Sequence, residues 1–118
     1  DKIATRLLLK VIYKKVIGDY DNDESKAVSP AEFSKLHNAH FKTYILDAVE
    51  RGLLDPRMSA IFNLDDLATA LNIENDELYK YSGLSTMLNR NLTKNERQYP
   101  LETPKYFWMR IAMGMSLN

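Results

Sequence analysis

Apolar side chains recur along this sequence mostly at spacings of three and four residues, the pattern of helices that turn one side inward. The first such run covers residues 3–17, and Gly18 follows it as a natural helix end. Its cations fall four residues apart on one stripe: Arg6, Lys10 and Lys14. The opposite face is predicted to be buried: Ile3, Leu7, Leu8, Val11, Ile12 and Val16.

A second helix is predicted over residues 29–51, and Gly52 ends it. Ser29 can cap the first turn, Pro30 suits the first helical position, and Glu32 can reach back as in a capping box. One stripe of this helix is expected to face inward: Phe33, His37, Phe41, Tyr44, Ile45 and Ala48.

Shorter helices are predicted after Pro56, over residues 64–71 with Asn63 as cap, and over about 76–81 and 85–91. The segment 92–101 is predicted to be extended. Its polar turn at residues 93–97 favours a short β-hairpin near residues 91–102, in which Pro100 restricts the second arm to an edge.

The last helix, residues 105–117, is predicted to begin with Thr103 as cap and Pro104 as its first residue. It is apolar on nearly every side, which is typical of a helix buried all round. Its methionines, Met109, Met113 and Met115, are expected to pack in a core rather than form a binding surface. A chain of 118 residues is small for covering such a helix. Further chain is therefore expected to supply its partner, and the isolated chain is expected to self-associate through residues 104–117.

These elements predict an all-α fold, an orthogonal bundle of five to six helices forming a single domain over residues 1–118. Hydrophobic residues make up 45% and charged residues 27%, which is ordinary for a globular domain. Because the sequence begins with Asp1 rather than methionine, we expect it to be a piece of a longer chain.

Composition narrows the possible functions. Sixteen basic and sixteen acidic residues give a net charge of +0, which argues against broad attraction to nucleic acid or anionic membranes. The sequence contains no cysteine, which excludes disulfides, thiolate metal sites and cysteine nucleophiles within it. The lack of cysteine constrains the compartment only weakly, and the cytoplasm is the default expectation. The sequence also has no apolar run long enough for a membrane span.

Two groups of charged residues suggest ion binding but fit a simpler explanation. The cationic stripe of the first helix could bind an anion, although a solvated helix face explains it better. Residues 19–24 place carboxylates at nearly alternate positions, as a calcium loop does, but the required glycine and distal glutamate are missing: Asp19, Asp21, Asp23 and Glu24. A solvated linker is the preferred interpretation.

Two side-chain pairs could in principle form catalytic or metal sites. His37 and His40 share a helix face, but no third ligand stands at a standard spacing, so two partly buried histidines are the preferred interpretation. Asp65 and Asp66 are adjacent and do not face each other, so a favourable charge in the first helical turn explains them better. No catalytic, cofactor-binding or metal-binding residue is predicted.

Four stretches, in order, resemble the large subunit of ribonucleotide reductases. Residues 4–9 (ATRLLL) are similar to its A-A-R-L-L-L helix, and residues 52–64, with GLLDPR and FNL, are similar to its G-x-(L/Y)-D-P-x-L…F-D-L segment. Residues 81–87 (YSGLSTM) resemble Y-x-G-L-x-T-L. Residues 101–115 (LETPKYFWMRIAMGM) resemble E-x-P-x-x-x-(W/F)-M-R-(V/I)-A-(M/V)-G. The chain departs from the usual pattern at residues 87–91 (MLNRN), which leaves the subclass open.

The resemblance implies the N-terminal all-α domain of the large subunit, between an ATP-cone and a catalytic barrel. The parent would be a ribonucleoside-diphosphate reductase that makes deoxyribonucleotides through a cysteine thiyl radical. Its radical source would be a small-subunit dimetal centre or adenosylcobalamin, and nucleotides would regulate it. The family's catalytic cysteines have no counterpart here, so this segment alone is expected to be inactive.

The resemblance also implies partners: the cone, the barrel, a small radical-generating subunit and further copies of the large subunit. A free-standing helical interaction module, using its apolar last helix, is the alternative function.

Overall fold

The computed structural model describes residues 1–18 and 29–117, and within them the fold is all-α, as predicted. These ranges contain no strand. A 3₁₀ segment, Ile73–Leu78, precedes the fifth helix, and a π-helical turn, Met87–Asn91, continues it. The α-helices are α1 Lys2–Ile17, α2 Pro30–Glu50, α3 Arg57–Ala60, α4 Leu64–Thr69, α5 Tyr81–Thr86 and α6 Pro104–Ser116.

Side-chain caps fix where the helices begin. In α1, α2, α4 and α6 a polar side chain before the first turn accepts a hydrogen bond from a backbone amide: Asp1, Ser29, Asn63 and Thr103. The last three were predicted from the sequence. Gly18 and Gly52 follow α1 and α2 with φ values of 99° and 79°, a region that favours glycine. The predicted ends of both long helices are therefore confirmed.

The short elements between residues 73 and 91 lie differently from the prediction. The pieces expected over 76–81 and 85–91 are replaced by the 3₁₀ segment, α5 and the π-helical turn, because the chain becomes extended at Tyr79 and Lys80. Single-turn elements carry too few residues for periodicity to locate them, and contacts with other helices decide their bounds.

The strands of the predicted hairpin near residues 91–102 are not formed in the described chain. One isolated antiparallel bridge joins Lys94 and Pro100. The turn is closed by hydrogen bonds from the Leu101 amide to the Thr93 carbonyl (2.8 Å) and from the Asn95 amide to the Tyr99 carbonyl (2.9 Å). Pro100 has no amide hydrogen to donate, so the ladder cannot extend through it.

Two groups of buried side chains make up the core. The larger lies between α2, the segment 58–71 and α6, and includes Phe41, Ile45, Met58, Leu64 and Tyr106. The inward stripe predicted for α2 is buried from His37 to Ala48, while Phe33 is partly buried. The smaller group joins α1 to α5 and the turn after it, and includes Leu9, Ile12, Tyr13, Leu84 and Met87.

The prediction of the buried face of α1 is half right: Ile12 is buried and Leu8 and Val16 are partly buried against the core, but the other three residues are not covered. Ile3, Leu7 and Val11 are exposed by 70%, 60% and 50%. The side that faces inward carries Thr5, Leu9, Ile12 and Tyr13. The helix is apolar around most of its circumference, so periodicity alone could not choose a side. Polar contacts decide: the Thr5 hydroxyl donates to the Tyr79 carbonyl (3.2 Å) and the Tyr13 hydroxyl to Asp76 (2.5 Å).

Candidate functional site

Buried polar side chains gather around the beginning of α6. Among apolar neighbours, a group of polar residues has no more than 1% exposure, and such groups are costly to bury unless they find partners. All except Thr5 belong to interactions that hold the first turns of α6 against the rest of the molecule: His37, Asp76, Glu102 and Thr103. We call these interactions the α6 anchor.

The first part of the anchor is the Glu102 carboxylate, both of whose oxygens accept hydrogen bonds. Glu102, just before α6, accepts two hydrogen bonds from Arg110 in a bidentate pair, at 2.9 and 2.8 Å. It also accepts the hydroxyl of Tyr44 on α2 and the amide of Thr93 (2.8 Å). Glu102 has no exposed surface, and the Arg110 side chain is 18% exposed. Bidentate pairing combines charge with fixed geometry, so α6, α2 and the bridged turn are held at one point.

The second part joins α6 to the middle of α2. The Thr103 hydroxyl lies 2.8 Å from Nε2 of His37 and accepts the Tyr106 amide (3.3 Å). Nδ1 of His37 lies 2.8 Å from the side-chain oxygen of Asn38. The pattern assigns the proton to Nδ1, which donates to Asn38, while Nε2 accepts from Thr103. The Tyr106 hydroxyl donates to the His37 carbonyl.

Burial fixes the charge state of this histidine. Loss of solvent lowers the pKa of His37 to about 4, and electrostatic interactions with His40 and with the Lys105 ammonium act in the same direction. The hydrogen bond that His37 donates to Asn38 opposes the shift. His37 is therefore a neutral hydrogen-bonding residue near neutral pH, with both ring nitrogens occupied.

The third part joins α6 to the 3₁₀ segment and to α1. The Lys105 ammonium lies 3.2 Å from Oδ1 of Asp76, and the Tyr13 hydroxyl donates to Oδ2 of the same residue. The lysine contact is an ion pair without good hydrogen-bond alignment, since no described donor satisfies Oδ1. Burial raises the pKa of Asp76, and the hydrogen bond from Tyr13 and the positive charge of Lys105 oppose that shift.

Aromatic rings fill the space between these contacts. Tyr106 is fully buried and lies parallel to Tyr44, with ring centroids 5.4 Å apart and an interplanar angle of 14°. The His37 ring also packs against Tyr106, with ring centroids 4.6 Å apart. Burial raises the pKa of both tyrosines, and the negative charge of Glu102 raises that of Tyr44 further. Both phenols stay protonated and act as donors. Apart from Oδ1 of Asp76, which has only its ion pair with Lys105, the polar groups of the α6 anchor are hydrogen-bonded to one another, an arrangement suited to positioning a helix.

The opposite side of α6 is exposed and apolar, and we call it the α6 outer face. It consists of Trp108, which is 52% exposed, Ala112, and Met115, which is 72% exposed. The Trp108 indole N–H donates to the Tyr79 hydroxyl (3.0 Å). A groove of about 340 Å³ runs beside this face, bounded on its far side by residues 70–72 and 75.

The outer face agrees with one expectation and corrects another. The last helix is not covered all round within this chain, as the small size of the chain predicted, because the surrounding elements cover only the side that carries Tyr106 and Met113. Met113 and Met109 pack in or against the core as predicted, whereas Met115 does not.

The two side-chain pairs considered as catalytic or metal sites, His37 with His40 and Asp65 with Asp66, make contacts that stabilise the fold. His37 is occupied as described, and His40 stacks on Tyr106 at 6.2 Å. Asp65 pairs with Lys42 at 3.3 Å, and the Asp66 amide donates to the Asn63 cap. No cluster of three potential metal ligands occurs in residues 1–18 and 29–117.

The cationic stripe of α1 is exposed and lies beside carboxylates. Arg6 pairs with Glu77 at 3.3 Å. Arg6 and Lys10 border a cavity of about 600 Å³ whose wall also contains Glu74, Asp76 and Glu77, a mixture that does not favour an anion. The acidic segment considered for calcium, residues 19–24, lies outside the described residues. No helix in the described ranges is long and apolar enough to cross a lipid bilayer.

The anchor was only partly visible in the sequence. The Thr103 cap was predicted, but its bond to His37 was not. Glu102 and Arg110 are eight residues apart and Glu102 precedes the helix, so helical spacing gives no signal for their pairing. Asp76 was assigned to an ordinary short helix. The only sequence feature that could have indicated this pairing is a Glu just before a Thr-Pro helix start, followed by an Arg about two turns later.

Comparisons with known proteins agree on one family. The protein family described as "Ribonucleotide reductase, all-alpha domain" matches residues 77–118 of this chain. The ribonucleoside-diphosphate reductase subunit alpha of Chlamydia trachomatis is 34% identical over 116 residues, and that of Chlamydia muridarum is 33% identical. The Helicobacter pylori subunit alpha is 29% identical over the same length. Each match covers 98% of this chain.

The match covers a small part of each relative. The chain spans 10% of the two chlamydial subunits and 13% of the Helicobacter subunit. No solved structure gives a significant match. The aligned region includes both the anchor and the outer face, since it extends over nearly all of this chain. The chain therefore belongs to the ribonucleotide reductase large-subunit family, within which it is an N-terminal all-α region.

Proposed function

We propose that this chain is a structural and coupling segment of a ribonucleoside-diphosphate reductase, an enzyme that makes deoxyribonucleotides for DNA synthesis. The observation that carries the proposal is the similarity to large subunits over 98% of the chain. The α6 anchor supports a mechanical role, because its polar groups bind one another and hold a helix whose outer face remains apolar.

In this proposal the segment lies between an ATP-cone and a catalytic barrel of the same polypeptide. The barrel packs on the α6 outer face, and the anchor keeps that face in place. Catalytic residues, nucleotide effectors and the radical source belong to other parts of the enzyme. The source is a small-subunit dimetal centre or adenosylcobalamin, and the parent acts in the cytoplasm as part of a homo-oligomer.

The α6 outer face also favours a second candidate, a helical interaction module that binds a separate protein. An exposed Trp with neighbouring apolar residues along one helix side is a common form of helix-in-groove recognition. The two candidates differ in where the partner originates, in the same polypeptide or in another one.

Reductase turnover by the full parent polypeptide tests the proposal. Deletion of residues 1–118 is expected to abolish turnover or its nucleotide regulation, with circular dichroism used to show that the remaining barrel is folded. The double substitution Trp108→Glu with Met115→Glu is expected to reduce turnover about tenfold or more, because small displacements of a supported site are costly.

A matched control separates the outer face from general surface effects. Leu46 on α2 is 46% exposed, similar to Trp108, and lies outside the outer face. Leu46→Glu is expected to change turnover by less than about twofold. A parent with no reductase activity would overturn the proposal in favour of the interaction module.

A further inference from the structure

A second apolar surface lies on α1, opposite its buried side. Ile3, Leu7 and Val11 stand four residues apart and form a single row of exposed aliphatic side chains, which we call the α1 ridge. The helix is thus packed against the core on one side and apolar on the other. The ridge and the α6 outer face lie on different helices.

The shape of the ridge identifies the kind of partner. It is one residue wide and follows an i, i+4, i+8 row, the row that fits between the side chains of another helix in the commonest type of helix packing. A helix lying on a membrane usually presents a broader apolar face with aromatic residues. The ridge has three aliphatic residues and no aromatic one.

The charge of α1 identifies the residues expected beside the partner's apolar row. Residues 2–17 contain no acidic residue and five basic ones: Lys2, Arg6, Lys10, Lys14 and Lys15. Arg6, Lys10 and Lys14 follow one edge of the ridge, and Lys15 lies beyond its other edge. Arg6 pairs with Glu77, and Lys15 also lies over the Tyr99 ring at 3.9 Å. Carboxylates on the partner would complement Lys10 and Lys15, and the cations of α1 would disfavour a basic helix.

The length of the relatives indicates the source of the partner. Because this region makes up 10% of the chlamydial subunits, about nine-tenths of those polypeptides lies outside it. A segment of the same polypeptide reaches the ridge at high effective concentration, without the entropy loss of joining two molecules.

We propose that the α1 ridge is a docking site for an amphipathic helix with flanking Asp or Glu residues, supplied by the parent polypeptide from outside residues 1–118. This proposal rests on one part of the proposed function, that the chain belongs to a longer polypeptide. It does not rest on reductase activity. The docked helix covers Ile3, Leu7 and Val11 and places its carboxylates beside Lys10 and Lys15.

Photo-crosslinking in the full parent polypeptide tests this proposal. Leu7 is replaced by p-benzoyl-phenylalanine, and the crosslinked peptides are identified by mass spectrometry. We expect a crosslink within one polypeptide, to a helical peptide from outside residues 1–118 that carries acidic residues beside its apolar row. The same probe at Lys35, an exposed residue of α2, is expected not to capture that peptide.

Paired variants test the apolar and the charged contributions separately. With the probe at Leu7, Val11→Asp is expected to cause loss of the crosslink, while Val11→Ile retains it. Lys10→Glu is expected to reduce the yield several-fold through repulsion of the partner's carboxylates, while Lys10→Arg leaves it unchanged.

Four results would overturn the proposal. The first two are a crosslink between isotopically distinct copies of the parent and a crosslink to a separate protein. The third is capture of anionic lipid when vesicles of phosphatidylserine and phosphatidylcholine are present. The fourth is a ridge that is as reactive toward solvent in the parent as in the isolated chain. Turnover of the same parent is measured independently, so an inactive parent that still forms the expected crosslink would contradict the proposed function and leave the docking site intact.

Discussion

At the scale of single residues, the anchor depends on charges and hydrogen bonds that solvent does not reach. Glu102 and His37 have no exposed surface, so each interaction lost leaves an unsatisfied group in the interior. In exposed ion pairs, such as Arg51 with Asp47, both charges stay in contact with water, so the pair adds little to the free energy of unfolding. Substitutions at these two kinds of position should therefore have very different effects on stability.

Glu102→Gln should destabilise the fold by about 2–4 kcal/mol, because it removes the charge that compensates Arg110 and one of the acceptor sites. Urea denaturation followed by circular dichroism measures this free energy of unfolding. Asp47→Asn, which breaks the exposed pair with Arg51, is the control and should cost less than about 1 kcal/mol. Equal losses in the two variants would show that the Glu102 pair contributes no more than a surface contact.

Stability should also fall as pH is lowered from 6.5 toward about 4, the range between the ordinary histidine pKa and that of His37 in the folded chain. In this window the unfolded chain gains a proton at His37 and the folded chain does not, so acid favours unfolding. The loss attributable to His37 should approach about 3 kcal/mol. Above pH 6.5 this contribution is fully present.

The pH effect is isolated by comparing urea midpoints of the native chain and His37→Gln between pH 7.5 and 4. Carboxylates contribute to both curves, so the difference between them reports the histidine. The native curve should fall more steeply than that of the variant. Two parallel curves would contradict the assignment of His37 as a buried neutral residue.

At the scale of elements, the sequence predicted best where one local signal was strong. Caps and glycines located the ends of α1 and α2, and Thr103-Pro104 located the start of α6. Part of the inward side of α1 and the short elements of residues 73–91 were missed, because long-range contacts decide them. Pairing of Glu102 with Arg110, Tyr44 and Thr93 likewise depends on how distant segments meet.

Thr103→Val should destabilise the attachment of α6 by about 2 kcal/mol, because valine keeps the shape but neither caps the Tyr106 amide nor donates to His37. Thr43→Val, on the exposed side of α2, should change stability by less than about 0.5 kcal/mol. Urea denaturation of both variants provides the comparison. A cost at Thr103 no larger than at Thr43 would show that the cap does not hold the helix.

At the scale of the whole molecule, two apolar surfaces on different helices remain exposed while the interior is closed by paired polar groups. Exposed apolar surfaces of this kind usually mark contacts with other parts of a larger structure. The coverage of about one-tenth of the relatives' length is consistent with that interpretation. The isolated segment should therefore behave differently from the same residues in the parent.

Isolated chain should self-associate through residues 104–117, because pairing two outer faces removes Trp108 and Met115 from water. Multi-angle light scattering measures the mass, and Trp108→Gln with Met115→Gln should shift it toward that of a monomer. Leu46→Gln should leave the association unchanged. A clean monomer with Trp108 inaccessible to a soluble quencher would contradict this prediction.

The most direct test of the account is hydroxyl-radical footprinting of Trp108 and Met115 in the full parent polypeptide and in isolated chain kept dilute enough to be monomeric. Oxidation at each residue is read by mass spectrometry, with the buried Met113 and Met58 as protected references in both samples. The account predicts that oxidation of Trp108 and Met115 falls about fivefold or more in the parent, because the rest of the polypeptide covers the α6 outer face. Equal oxidation in the two samples would show that this face stays open, and would contradict the structural role proposed for the segment.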